Sequence, residues 1–150
     1  MENKITIKED TIENVVDISS RIVEFDDKFK KNYFEERYLE KEKLILVAYF
    51  ENKPAGYLVS YDNYNDGSFY CWMAAVDPEF RRKGILSELM TRLEDWAREN
   101  GYKKIRIKTR NNKREMLSYL VKNGFYFINI EECPLIEDHR LLLEKNIYGK

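Results

Sequence analysis

The chain has 150 residues, 26 of them Lys or Arg and 27 Asp or Glu, for a formal net charge of −1. A hydrophobic content of 43%, 14% aromatics, three Pro and six Gly exclude a disordered, collagen-like or linker-like polypeptide, and the length suits one domain over residues 1–150. The longest apolar run, Leu44 to Phe50, is far short of the ~20 residues of a membrane span, no signal-peptide pattern follows Met1, and Cys71 and Cys133 lack metal spacing, so a cytoplasmic protein with reduced thiols and no membrane or metal partner is expected.

Ile5 to Ile7 alternates with polar neighbours and reads as a strand. Glu9 to Ser20 carries Ile12, Val15, Val16 and Ser19 at helical spacing, and a second helical pattern runs from Asp26 to Leu39, with Phe29, Tyr33, Phe34 and Tyr38 on its buried side. Leu44 to Phe50 and Ala55 to Tyr61 form a hairpin around Glu51-Asn-Lys-Pro54. Asp62 to Gly67 is a loop, and Phe69 to Val76 the next strand. Ile85 to Asn100 is the strongest helix, with Ile85, Leu86, Leu89, Met90, Leu93, Trp96 and Ala97 in one stripe and Asn100-Gly101 as its stop. Lys104 to Arg110 alternates strictly, its four basic residues reading as a solvent-facing strand edge or, less simply, a nucleic-acid strip. A short helix over Asn112 to Asn123 and strands over Phe125 to Ile130 and Leu141 to Glu144 complete an α/β domain of order β-α-α-β-β-β-α-β-α-β-β.

Charge is segregated along this order. Thirteen basic and six acidic residues lie between Glu79 and Lys122, a balance of +7 that leaves −8 for the rest. No nucleic-acid-binding signature accompanies the basic stretch, so a small polyanion is the better partner. The segment suited to one is Ala75-Val-Asp-Pro-Glu-Phe-Arg-Arg-Lys-Gly-Ile-Leu86, a strand, a basic loop with one Gly, then a long helix. The first turn of a helix has N–H groups without intrahelical partners and a dipole that favours anions, and Gly84 lets backbone approach a ligand. A solvated basic loop before an ordinary helix has the same residues. The spacings of a P-loop and of a dinucleotide fingerprint are both absent.

Val76-Asp-Pro-Glu-Phe-Arg-Arg-Lys-Gly-Ile85 resembles the acyl-CoA loop of the GNAT N-acetyltransferase superfamily, V-x-P-x-x-[R/Q]-x-x-G-x-[G/A], and Asn112 to Phe125 resembles its later helix, which ends in K-x-G-F. The match covers residues 69 to 127. It implies a mixed sheet with splayed central strands, flanking helices, and acetyl-CoA as cosubstrate. By the same resemblance Ala74, Ala75 and Val76 face the pantetheine arm, and Arg81, Arg82, Lys83, Gly84, Ile85, Leu86 and Ser87 hold the pyrophosphate. Asn112 lies near the pantetheine. Leu86 stands where the family has Gly or Ala, so its side chain must turn into the core.

The family's acid, a Tyr four residues before the Gly of K-x-G-F, falls on Leu120; Tyr119 is a candidate acid one position away, about 100° around the helix. No general base is assignable, because the strand Phe69 to Ala74 contains no carboxylate. Cys71 reads as a small hydrophobe and His139 as a solvated loop residue. An N-acetyltransferase acting on a primary amine of a small molecule or peptide is implied, the alternative being a non-catalytic acyl-CoA-binding domain of the same fold. The second helix and the acidic loop with Glu131, Glu132, Glu137 and Asp138 are expected to wall an acceptor site for a cationic amine, against the plain reading of a solvated loop. A homodimer is compatible with the sequence.

Overall fold

The computed structural model describes residues 4–22 and 30–148. Among them the chain runs β1 (Ile5–Glu9), α1 (Ile12–Ser19), α2 (Lys31–Tyr38), β2 (Lys43–Phe50), β3 (Lys53–Tyr61), β4 (Ser68–Val76), α3 (Ile85–Glu99), β5 (Lys104–Arg110), α4 (Arg114–Lys122), β6 (Tyr126–Glu131) and β7 (Arg140–Asn146). The element order is the expected one, and the boundaries move where capping decides them. Helix α1 begins at Ile12 rather than Glu9, because β1 stays paired through Glu9 and the Thr11 side chain caps the helix by accepting from Asn14 N–H at 3.3 Å. The expected first turn of the second helix, Asp26 to Phe29, lies outside the described residues.

The strands form one sheet in the order β1-β2-β3-β4-β5-β7-β6. All neighbours are antiparallel except β4 and β5, whose parallel ladder joins only Ser68–Cys71 to Lys104–Ile107. Beyond it the strands part. The cause lies in β4, where Val59 pairs with Met73 and Ser60 with Cys71, leaving Trp72 as an extra residue. Such a bulge kinks and twists its strand, and here it ends pairing with β5.

Helices α3 and α4 cover one face. Ile85, Leu89, Met90, Leu93 and Ala97 of α3 and Leu117 and Leu120 of α4 are buried there against Leu44, Leu46, Leu58, Phe69, Ile105 and Leu143. Each such aliphatic side chain contributes ~1.5–3 kcal/mol by leaving water. On the other face α1 and α2 pack Ile12, Val15, Ile18, Phe34 and Tyr38 onto Val47, Tyr57, Val59, Tyr61 and Tyr70. Tyr33, expected on the buried side of α2, is instead 46% exposed and stacks beside Trp72.

Strand β5 corrects the reading of a solvent-facing edge: it is interior, between β4 and β7. Three of its four basic side chains, those of Lys104, Arg106 and Lys108, meet acids from elsewhere in the chain. Arg106 donates to Glu144 and Asp66 at 2.9 Å each, and Lys108 to Glu131 at 2.8 Å. The edges are β1 and β6, and on β6 Tyr126, Phe127, Ile128 and Ile130 are exposed. Among the described residues no helix is long and apolar enough to cross a membrane.

Candidate functional site

Between β4 and α3 the chain makes a tight, anchored loop. Phe80 is buried and meets the Phe50 ring at 6.0 Å, fixing the 3₁₀ turn Pro78–Phe80 to the sheet. Asp77 caps that turn through Glu79 N–H at 3.0 Å and lies 3.4 Å from the Arg21 guanidinium. Arg81 Nε donates back to the Val76 carbonyl at 3.1 Å. Arg82 and Gly84 both take left-handed conformations, with φ of 64° and 85°. Left-handed turns of this kind gather successive N–H groups into an anion-binding concavity. Gly84 then opens the 15-residue helix α3. Its carbonyl accepts from Glu88, so the N–H groups of Ile85, Leu86 and Ser87 have no acceptor within the helix. A Cβ added at Gly84 would meet nothing within 4 Å, which leaves open space above the helix end.

That space continues into a cavity of about 450 Å³ where β4 and β5 diverge. Ala74, Ala75, Val76, Arg81 and Leu86 line it, five residues singled out in the sequence. Leu86 is half-buried, its side chain against the α3 core as its place in the apolar stripe requires. Arg82, Lys83, Gly84 and Ser87 are exposed at the loop above the cavity, and Lys83 sits over the Phe50 ring at 5.0 Å. Ile85 is buried and offers the site only its backbone. Asn112 does not line the cavity; its N–H donates to the Glu137 carbonyl at 2.9 Å, and the neighbouring Lys113 reaches the cavity wall.

Ile22, Thr109, Glu115 and Met116 complete the wall, with Glu115 its one carboxylate among the described residues. Gly56 shapes the site without lining it. A Cβ there would lie 2.9 Å from the Ala75 carbonyl oxygen and 3.3 Å from Ile85 Cγ2, so β3 must have Gly for β4 and α3 to approach this closely. An isolated Gly within an apolar strand is the available signal.

Leu120 is fully buried in the α3–α4 core, and Tyr119 is half-buried at its margin. Burial raises the Tyr119 phenol above its ordinary pKa, partly opposed by the adjacent Ser87 hydroxyl. Neither residue lines the cavity. Cys71 is fully buried, which pushes its thiol up to about 12 and removes it as a nucleophile at neutral pH. His139 is partly buried, and its Nδ1 accepts from Cys133 N–H at 3.0 Å, tying the loop before β7 together. Among the described residues no group of three or more His, Cys, Asp or Glu could hold a metal ion.

On the opposite face of the gap lies a second cavity of about 400 Å³, which shares Thr109 with the first. Tyr33, Tyr70, Trp72 and Met73 wall it, and Arg37, Lys108, Arg110 and Arg140 bring charge. No carboxylate is among the described residues that line it, contrary to the expected acidic wall. Glu131 reaches only the margin, tied to the lining Lys108 at 2.8 Å, and Glu132, Glu137 and Asp138 line neither cavity.

The model of the Acetyltransferase (GNAT) family matches residues 12–125. In fold the chain is similar to the ribosomal-protein-S18-alanine N-acetyltransferase of Escherichia coli, at 17% identity over 97% of this chain and 96% of that one, with a TM-score of 0.83. It is similar also to Ard1 of Thermoplasma volcanium, at 19% identity over 96% and 98% of the two chains (TM-score 0.80). A third structure, the PaiA N-acetyltransferase of Thermoplasma acidophilum in complex with coenzyme A, aligns at 16% identity over 96% and 99%, with a TM-score of 0.72. No curated protein sequence matches the chain.

Proposed function

The chain belongs to the GNAT acetyltransferase family, and from that premise we propose that it transfers the acetyl group of acetyl-CoA directly to the nitrogen of a primary amine. One observation carries the reading: an unpartnered helix N-terminus, headed by a left-handed Gly84, opens onto a cavity that follows β4 into the sheet. The donor set suits a diphosphate, with backbone N–H groups at Ile85 to Ser87 and cationic side chains at Arg81, Arg82 and Lys83. The apolar edge formed by Ala74, Ala75 and Val76 suits a pantetheine arm.

The cosubstrate supplies an activated acyl group as a thioester. The chain's share of the work is position and polarity. Beyond Cys71 the backbone groups of β4 that face the gap have no partner in β5, which makes them available to an acetyl carbonyl. Bringing the amine to that carbonyl across the gap supplies much of the acceleration by approximation alone. The leaving group is a thiolate, stable enough near neutral pH (ordinary thiol pKa ≈ 8.5) that its protonation by solvent suffices.

The deciding experiment is release of free CoA from acetyl-CoA with a panel of primary amines, alongside calorimetry of acetyl-CoA binding. Amine-dependent release is expected; tight binding without turnover on any amine would favour the non-catalytic acyl-CoA-binding reading. In the same assay Tyr119→Phe is expected to lower kcat by less than about tenfold, with KM for acetyl-CoA nearly unchanged. A positioned acid contributes roughly 10²- to 10⁴-fold. A loss of a hundredfold or more with folding intact would make Tyr119 the acid and overturn the assignment to solvent.

A further inference from the structure

The cavity across the gap from the acetyl-CoA side has a charge character that the overall composition hides. Arg110 and Arg140 stand directly opposite each other on the antiparallel pair β5–β7. Like charges so placed repel and are destabilising unless an anion lies between them. Among the described residues neither lies within ion-pair distance of a carboxylate: Glu131, in register with Arg140, feels its charge but gives its hydrogen bond to Lys108. Arg37 is held at the opposite wall, its Nε donating to Tyr61 Oη at 2.9 Å and its guanidinium over the Trp72 ring at 5.0 Å. Cations therefore edge the cavity on both sides of an aromatic floor.

The geometry points to an acceptor that carries its own anionic group: a primary amine with a carboxylate or phosphate, the anion between Arg110 and Arg140 and the amine directed past Trp72 into the gap. This inference rests on the acetyltransferase reading and specifies its acceptor. Guanidinium pairs suit both groups, because each can take two parallel N–H···O bonds. The same cations solve a second problem. The described residues that line this cavity include no carboxylate to act as a base, but neighbouring positive charge disfavours an ammonium and favours the free amine. In the transfer the nitrogen lone pair forms the C–N bond, the C–S bond breaks with its electrons on sulfur, and the nitrogen's surplus proton passes to solvent.

The test uses matched acceptors with acetyl-CoA: L-phenylalanine against phenethylamine, O-phosphoethanolamine against ethanolamine, and spermidine as a polycation. The anionic member of at least one pair is expected to have a kcat/KM at least tenfold higher, the pair identifying carboxylate or phosphate as the group. Arg110→Ala and Arg140→Ala are each expected to raise KM for that acceptor by about 10- to 100-fold, the usual scale of a charge-assisted hydrogen bond. Arg110→Lys should recover part of the loss, and Arg92→Ala, an exposed cation beside β1, should leave turnover unchanged. Preference for the member without the anion in both pairs, or for spermidine over both anionic acceptors, overturns the inference. If no acceptor reacts, calorimetry of L-phenylalanine and O-phosphoethanolamine decides, made with and without acetyl-CoA. Binding that Arg110→Ala and Arg140→Ala weaken sustains the anionic site, and no binding overturns it. Loss of acetyl-CoA binding would be a separate result, against the acetyltransferase reading itself.

Discussion

Replacing Gly84 by Asp is expected to weaken acetyl-CoA binding by about 100-fold or more while the protein remains folded. Asp is among the few residues that tolerate a left-handed backbone, and it is a strong N-cap, so helix α3 should lose little. The harm falls on the ligand. The new carboxylate would accept the very N–H groups that head α3, at a position where a side chain meets only open space. It would both occupy the anion site and repel a diphosphate. A hundredfold loss corresponds to ~2.8 kcal/mol, a size that a displaced set of charge-assisted hydrogen bonds readily reaches. Gly84→Asn, of the same shape without the charge, should bind with intermediate affinity. Isothermal calorimetry on the two variants makes the comparison, and equal affinity of Gly84→Asp and the parent protein would remove the loop from the site.

Gly56→Ala is expected to destabilise the fold by ~1–3 kcal/mol, the range for adding a methyl to a tightly packed place. For a chain of this size that lowers Tm by roughly 2 to 12 °C. The added Cβ would lie 2.9 Å from a backbone oxygen of β4, a group that cannot rotate away. Strand β4 must therefore move at Ala75, which lines the cavity, and Ile85 must yield at the start of α3. Acetyl-CoA affinity should fall with stability, by about tenfold, although Gly56 itself faces no ligand. Unchanged melting and unchanged affinity together would show that the β3–β4–α3 junction is looser than its packing implies.

The parts of the fold that local pattern decides were legible in the chain. The stripe of α3 and its stop at Asn100-Gly101, the turn after Phe50 and the basic loop before Gly84 all lie where periodicity and turn chemistry put them. Helix ends were less so, since the start of α1 depends on how far β1 remains paired with β2. Strand β5 was misread as an edge because alternating charge looks the same on an interior strand whose basic face meets Glu144, Asp66 and Glu131 from elsewhere. The acceptor side failed for a related reason. Acidic residues crowd one loop in sequence, but the charge of the cavity is set by Arg37, Arg110 and Arg140, from three separate elements. Only the pairing of β5 with β7 brings the last two together.

The short parallel ladder between β4 and β5 also orders events during synthesis. Strands β2, β3 and β4 each pair with the strand before them in sequence, so a growing chain can close β1 to β4 as a meander as they emerge. Strand β5 has only four residues of β4 to hold, and it becomes interior once β7, made after β6, arrives on its other side. The first cavity needs Met116 and the second needs Arg140. A nascent chain halted in α3 is thus the meander with an anion loop at its end and no gap for a ligand to enter; the first cavity waits for α4 and the second for β7.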